Sequence, residues 1–135
     1  GEAASRLMGR ERLVARGRYQ TEEPVLAWAE VGRTRGLSGT LAGLSGGPAL
    51  DANGNVIGVT IAEQPRRGRI FTSDPTSLAR FLKQIEAEGA VEGSSPGPIS
   101  FDDYGPSADQ LRRDMAVAKV VCVKGQPTEP APVPR

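Results

Sequence analysis

Arginine alternates with apolar or small residues from Ala3 to Tyr19. That period of two predicts a half-buried strand, with Arg12, Arg16 and Arg18 on one face and Leu13, Ala15 and Tyr19 on the other. "PVLAWAEV", Pro24 to Val31, predicts a second strand, led by a proline that cannot serve in a central ladder position and carrying Trp28 toward the core. Leu50, Val56, Ile57, Val59 and Ile61 flank Asn53-Gly54, a dipeptide that predicts a hairpin whose two central residues both take positive φ. "RIFTS", Arg69 to Ser73, predicts another short strand. A helix follows, with Asp74 as N-cap, Pro75 in the first turn, Leu78, Phe81, Leu82 and Ile85 as an apolar stripe, and Gly89 as the stop. That stripe needs a surface to dock on.

From Gly89 to Pro106 the chain turns to Gly, Ser, Pro and Asp, which reads as a linker. "SADQLRRDM" then predicts a short helix from Ser107, and Val117 to Val123 a strand in which Cys122 fills core space. Gln126 to Arg135 holds four prolines and predicts an extended, disordered tail. The expected division is a mainly β unit over residues 1–89, a linker over 90–106, a helix-strand appendage over 107–125 docked back on the domain, and a tail over 126–135.

Composition narrows the chemistry. At 135 residues the chain fits one domain, where roughly 100–200 residues per domain is usual. Seventeen basic against sixteen acidic residues leave a net charge of +1, so no global field steers it toward nucleic acid. The five arginines between Ala3 and Tyr19 read as the solvated face of a sheet. One cysteine excludes an internal disulfide, and with no histidine no metal site or cofactor is implied. No run approaches the roughly 18 apolar residues of a membrane helix. The first residue is Gly1, with no signal-peptide pattern after it, as expected if a targeting segment or a longer upstream part preceded it.

One stretch carries candidate chemistry: "GLSGGPALDANGNVIGV", Gly43 to Val59. A serine hydroxyl becomes a useful nucleophile when a base takes its proton and preorganised donors await the anion formed on the substrate. Glycines around Ser45 permit a tight turn whose amides converge, with Gly43 and Ser45 as the natural oxyanion donors. Losing one such donor costs about 3–4 kcal/mol. Read as G-x-S-x-G, the string matches a nucleophile elbow, which requires a helix after the serine. Pro48 and the Asn-Gly hairpin stand there instead.

Read as G-x-S-G-G-P followed by strand, turn and a Val-Ile-Gly-Val strand, the segment resembles the trypsin-like (chymotrypsin-fold) serine proteases, especially their HtrA/Deg-like bacterial branch. The resemblance runs from Gly1 to about Gly89 and implies the second, C-terminal antiparallel β-barrel of that fold with its closing helix. It implies Ser45 as nucleophile and the amides of Gly43 and Ser45 as oxyanion hole. "GVTIAE", Gly58 to Glu63, would pair with an extended peptide, so Thr60, Ile61, Ala62 and Glu63 join Gly39, Thr40 and Gly68 as substrate-binding residues. Gly39 stands six before the serine, at the pocket floor, where an acidic residue would give strict Arg/Lys preference. Its absence implies a small or medium apolar P1 side chain. Glu63 either adds a tilt toward basic side chains or is a solvent-exposed strand end. Leu44 departs from the family, since trypsin has an aspartate there and uses it to lock the active conformation.

The resemblance also implies where the proton goes. In this family the histidine base and its aspartate belong to the first barrel, upstream in the chain. The expected partners are therefore that upstream half, with its His and Asp, and a protein or peptide substrate, with no nucleic acid and no membrane contact. Family analogy suggests a periplasmic or membrane-tethered enzyme. Lys83, Lys119 and Lys124 are the chain's only lysines. Lys83 lies beside the helical stripe and the other two in the appendage, so none is expected to serve as the base. Asp51 and Asp74 read as a turn residue and a helix cap. Two further readings stay open: a non-catalytic module binding peptides along Gly58–Glu63 by β-augmentation, and an unrelated all-β domain in which "LSGGP" is only a turn.

Overall fold

The computed structural model describes residues 1–18, 20–85 and 97–121. It is mainly β: β1 (Ala3–Ala15), β2 (Thr21–Arg33), β3 (Pro48–Leu50), β4 (Val56–Gln64) and β5 (Arg69–Ser73), followed by helices α1 (Pro75–Ile85) and α2 (Tyr104–Arg113). The strands form one antiparallel sheet in the order β1-β2-β5-β4-β3. Closure into a barrel, as the resemblance implied, is not seen among the described residues: there β1 pairs only with β2 and β3 only with β4, so both are edges of an open sheet.

The long β1–β2 hairpin absorbs the first two expected strands. β1 stops at Ala15, so Arg16 and Arg18 fall in the bend beyond it, and Tyr19 lies outside the described residues. Pro24 sits inside β2 rather than at its start, opposite Arg12, one residue before pairing with β5 begins at Val25. Its missing N–H therefore costs β5 no ladder bond.

The core lies where β2 meets β5. Val25, Ala27 and Phe71 share one face, with Val25 fully buried and Phe71 3% exposed, and Leu13, Ile61 and Ala62 pack against them. Leu26 and Thr72, paired across the same two strands, are buried on the opposite face. Burial on both faces explains why "VLA" reads as an unbroken apolar run. Trp28 is half-buried on that second face and donates from Nε1 to Thr72 Oγ1 at 2.9 Å. β4 closes tightly on β5 at buried Gly58, where a Cβ would lie 2.8 Å from the Ser73 carbonyl oxygen and 3.1 Å from Thr72 Oγ1. Gly58→Ala is expected to cost about 1–3 kcal/mol, read as a lower urea midpoint.

The β3–β4 turn departs from a two-residue type I′ loop. It spans Asp51–Asn55, and Gly54 alone takes positive φ (80°). Asp51 organises it, its Oδ1 accepting the amides of Asn53 (2.9 Å) and Asn55 (2.8 Å). A side-chain oxygen thus replaces one of the strained φ values the dipeptide suggested.

Asp74 starts α1 as expected, its Oδ1 accepting the Thr76 amide at 2.8 Å. That bond holds the Asp74 carboxyl below its usual range against the upward pull of burial, with the Thr76 side chain and Arg10 adding to the lowering. Because the folded pKa is depressed, the stabilisation is complete above the unfolded value near 4 and is lost as pH falls through the folded one. Asp74→Ala should therefore cost about 1 kcal/mol at neutral pH. The gap from wild type should narrow in denaturant titrations below about pH 4.

The helical stripe does not dock as expected. Ser77 and Leu78 are half-buried, but Phe81, Leu82 and Ile85 are exposed. Gly89, residues 86–96, Cys122, Lys124 and the tail lie outside the described residues. In the appendage, α2 begins at Tyr104 rather than Ser107, and residues 117–121 form no strand; Val120 and Val121 are exposed. They pair with no strand among the described residues. Residues 97–113 do fold back on the domain. The Ile99 amide donates to the Ala52 carbonyl at 2.9 Å, and Arg6 lies 4.9 Å over the Phe101 ring. Glu2 takes the Thr34 hydroxyl at 2.7 Å on one carboxylate oxygen and Arg112 on the other.

Candidate active site: the serine turn

The turn begins at Leu41, which is 3% exposed and anchors a single 3-10 turn, Ala42–Leu44. The Leu44 amide donates to the Leu41 carbonyl and the Gly47 amide to the Leu44 carbonyl, both at 2.8 Å, so Ser45 rides between two tight turns. Its side chain is exposed, and among the described residues its hydroxyl has no hydrogen-bond partner. Each glycine after it has its own reason. Gly46 has φ 84°, where an L side chain is strained, and at Gly47 a Cβ would lie 2.9 Å from the Leu44 carbonyl oxygen. Gly47→Ala should force this turn open and cost about 1–3 kcal/mol by denaturant titration.

β4 holds the far side of the turn. The Gly46 amide donates to the Thr60 carbonyl at 2.8 Å and the Thr60 amide to the Gly47 carbonyl at 2.9 Å. β3 pairs with β4 only as far as Val59, so from Ile61 to Gln64 the strand has β5 on one side and no strand partner on the other among the described residues. A free backbone edge thus starts immediately beside the serine turn.

The expected oxyanion donors are not poised together. The Ser45 amide points at the Ala42 carbonyl oxygen at 3.4 Å, placing an acceptor where an oxyanion would need a donor. Gly43 lies outside the left-handed region, and a Cβ there would meet nothing within 4 Å. This conformation therefore gives no steric reason for glycine at that position.

Of the expected substrate-binding residues, Gly39, Glu63 and Gly68 come together around Arg33. Arg33 Nη1 donates to the Gly39 carbonyl at 2.6 Å, while Nη2 donates to Glu30 Oε2 at 2.9 Å and Nε to Glu30 Oε1. The Glu30 amide in turn donates to the Gly68 carbonyl at 2.9 Å. Glu30 foremost, and Glu63 as well, raise the Arg33 pKa. Glu63 is not a solvent-exposed strand end: it is half-buried, and its Oε2 accepts the Leu41 amide at 2.7 Å. Thr40 is exposed, Thr60 is in the clamp just described, and Ile61 and Ala62 turn their side chains into the core. Only the backbone of the last two remains available to a peptide.

Sequence reasoning missed Glu30 and Arg33, which at a spacing of three lie on opposite faces of a regular strand; a bulge at Val31, where Gly32 pairs with Ala4 and Glu30 with Ser5, brings them onto one face. Lys83, on α1, lines a shallow groove with Thr76, Ala79 and Arg80, remote in sequence from the turn; Lys119 is exposed. Among the described residues no three His, Cys, Asp or Glu side chains are grouped to hold a metal ion. No protein-family model matches the chain, and neither does any curated protein or solved structure.

Proposed function

We propose that this chain is the nucleophile-bearing half of a trypsin-like serine endopeptidase, with Ser45 as nucleophile and its base on an upstream half. The observation that carries the reading is the seating of an exposed serine on a glycine turn clamped by Thr60, beside the free edge of Ile61–Gln64. An extended peptide added to that edge as a strand would pass the serine hydroxyl.

The reaction is acyl transfer. The upstream histidine takes the Ser45 proton as Oγ attacks the scissile carbonyl carbon, and the amides of Gly43 and Ser45 hold the resulting oxyanion. The same histidine gives the proton to the leaving amine as the C–N bond breaks, and water then hydrolyses the acyl-enzyme and regenerates Ser45. For the oxyanion step the Ala42–Gly43 peptide must rotate, carrying the Ala42 carbonyl off the Ser45 amide. Glycine at 43 makes that rotation inexpensive.

A second reading is favoured by the same free edge: a peptide-binding module that captures a strand without cleaving it. Hydrolysis of a labelled peptide library by the full-length polypeptide and by this chain alone separates the two. The protease reading predicts cleavage by the former and none by the latter. The binding reading predicts peptide affinity in both that survives Ser45→Ala, and cleavage in neither.

A further inference from the structure

We infer that Glu63 is a positioning residue for the serine turn, an inference that rests on Ser45 being the nucleophile. The turn is fastened to β4 at two points. On its far side the fastening is backbone to backbone, through Gly46, Gly47 and Thr60, and any side chain at position 60 would permit it. On its near side it is one side chain, the Glu63 carboxylate on the buried Leu41 amide at 2.7 Å.

A bulge makes this reach possible. Thr60 pairs with Thr72 and Glu63 with Ile70, and those two partners lie two apart on β5 and so on one face. Residues three apart on a regular strand point to opposite faces. The register shift between Thr60 and Ala62 turns Glu63 onto the face that Thr60 presents.

The same approach segment carries a second fastening two residues earlier, where Arg33, held by Glu30, donates to the Gly39 carbonyl. Gly39 and Leu41 are thus fixed by side chains from β2 and β4, and Gly46 and Gly47 by the β4 backbone. What lies between, Ala42 to Ser45, is the part that must rearrange to form the oxyanion hole. Glu63 confines the rearrangement to those residues and keeps Ser45 in register with a peptide on β4. It acts through Leu41 and touches no reacting atom.

The test compares Glu63→Ala, Glu63→Gln and wild type in the full-length polypeptide. Three readouts are taken: exchange of the Leu41 amide, the rate of Ser45 modification by a fluorophosphonate, and kcat and KM on one peptide. Gln keeps an oxygen acceptor for the Leu41 amide and removes the charge. The expected result is faster Leu41 exchange in Glu63→Ala, with Ser45 modification and kcat about 10- to 100-fold lower, KM unchanged, and Glu63→Gln like wild type. If the alanine variant does not fold, Glu63→Asp, too short for the same reach, takes its place with the same expectation. Unchanged Ser45 modification despite faster Leu41 exchange overturns the inference. So does a change in KM alone, or a glutamine variant as impaired as the alanine one. Wild type that is never modified at Ser45, with the Leu41 difference intact, overturns instead the nucleophile reading and the positioning role with it.

Discussion

Ser45→Ala in the full-length polypeptide should lower peptide hydrolysis by about 10⁴- to 10⁶-fold, the scale on which removing the nucleophile acts in enzymes of this mechanism. The fold should not notice. The Ser45 side chain is exposed and has no hydrogen-bond partner among the described residues, while the turn is held by the backbone of residues 41–47, Thr60 and the Glu63 carboxylate. Thermal midpoint and peptide affinity should therefore match wild type. A fall in midpoint alongside the lost turnover would mean that the hydroxyl holds the turn. Unchanged turnover would assign the cleavage to another residue.

Phe71→Ala should have the largest effect on stability, about 3–5 kcal/mol by urea titration. Domains of this kind have about 5–15 kcal/mol to lose, so the variant should be partly unfolded or close to it at 25 °C. The reason is the small core. Among the described residues Phe71 is the one aromatic ring packed with Val25 and Ala27, and Leu13, Ile61 and Ala62 all gather on that cluster from β1 and β4. Its loss would loosen three strand contacts together, including the strand that seats the serine turn. Phe81→Ala is the internal comparison: the same ring is removed from a position 56% exposed, and the midpoint should move little.

Where one residue type fixes one local conformation, the sequence was readable. Arg69–Ser73 forms a strand at the expected bounds, Asp74 caps α1, and Asp51 shapes the turn it was assigned to. Gly46 and Gly47 are required by the serine turn for two separate physical reasons, a positive φ and a close carbonyl. The remainder depended on pairing. Whether the sheet closes is decided by which strands reach the β1 and β3 edges, and hydropathy along β1 carries no record of that. Val117–Val121 has strand-like composition, yet those residues pair with none of the open edges of the described sheet, and composition does not say which edge a segment joins. At the site, a single bulge at Ile61 turns Glu63 toward Leu41, and the two-residue period alone would have placed Glu63 on the other face.

The measurement that bears most directly on the account is fluorophosphonate labelling of the full-length polypeptide and of this 135-residue chain alone, with peptide mapping of the modified residue. The account predicts covalent modification at Ser45 in the former and none in the latter, because the proposed proton acceptor belongs to the upstream half. No modification of Ser45 in either form would contradict it, as would equal labelling of the isolated chain.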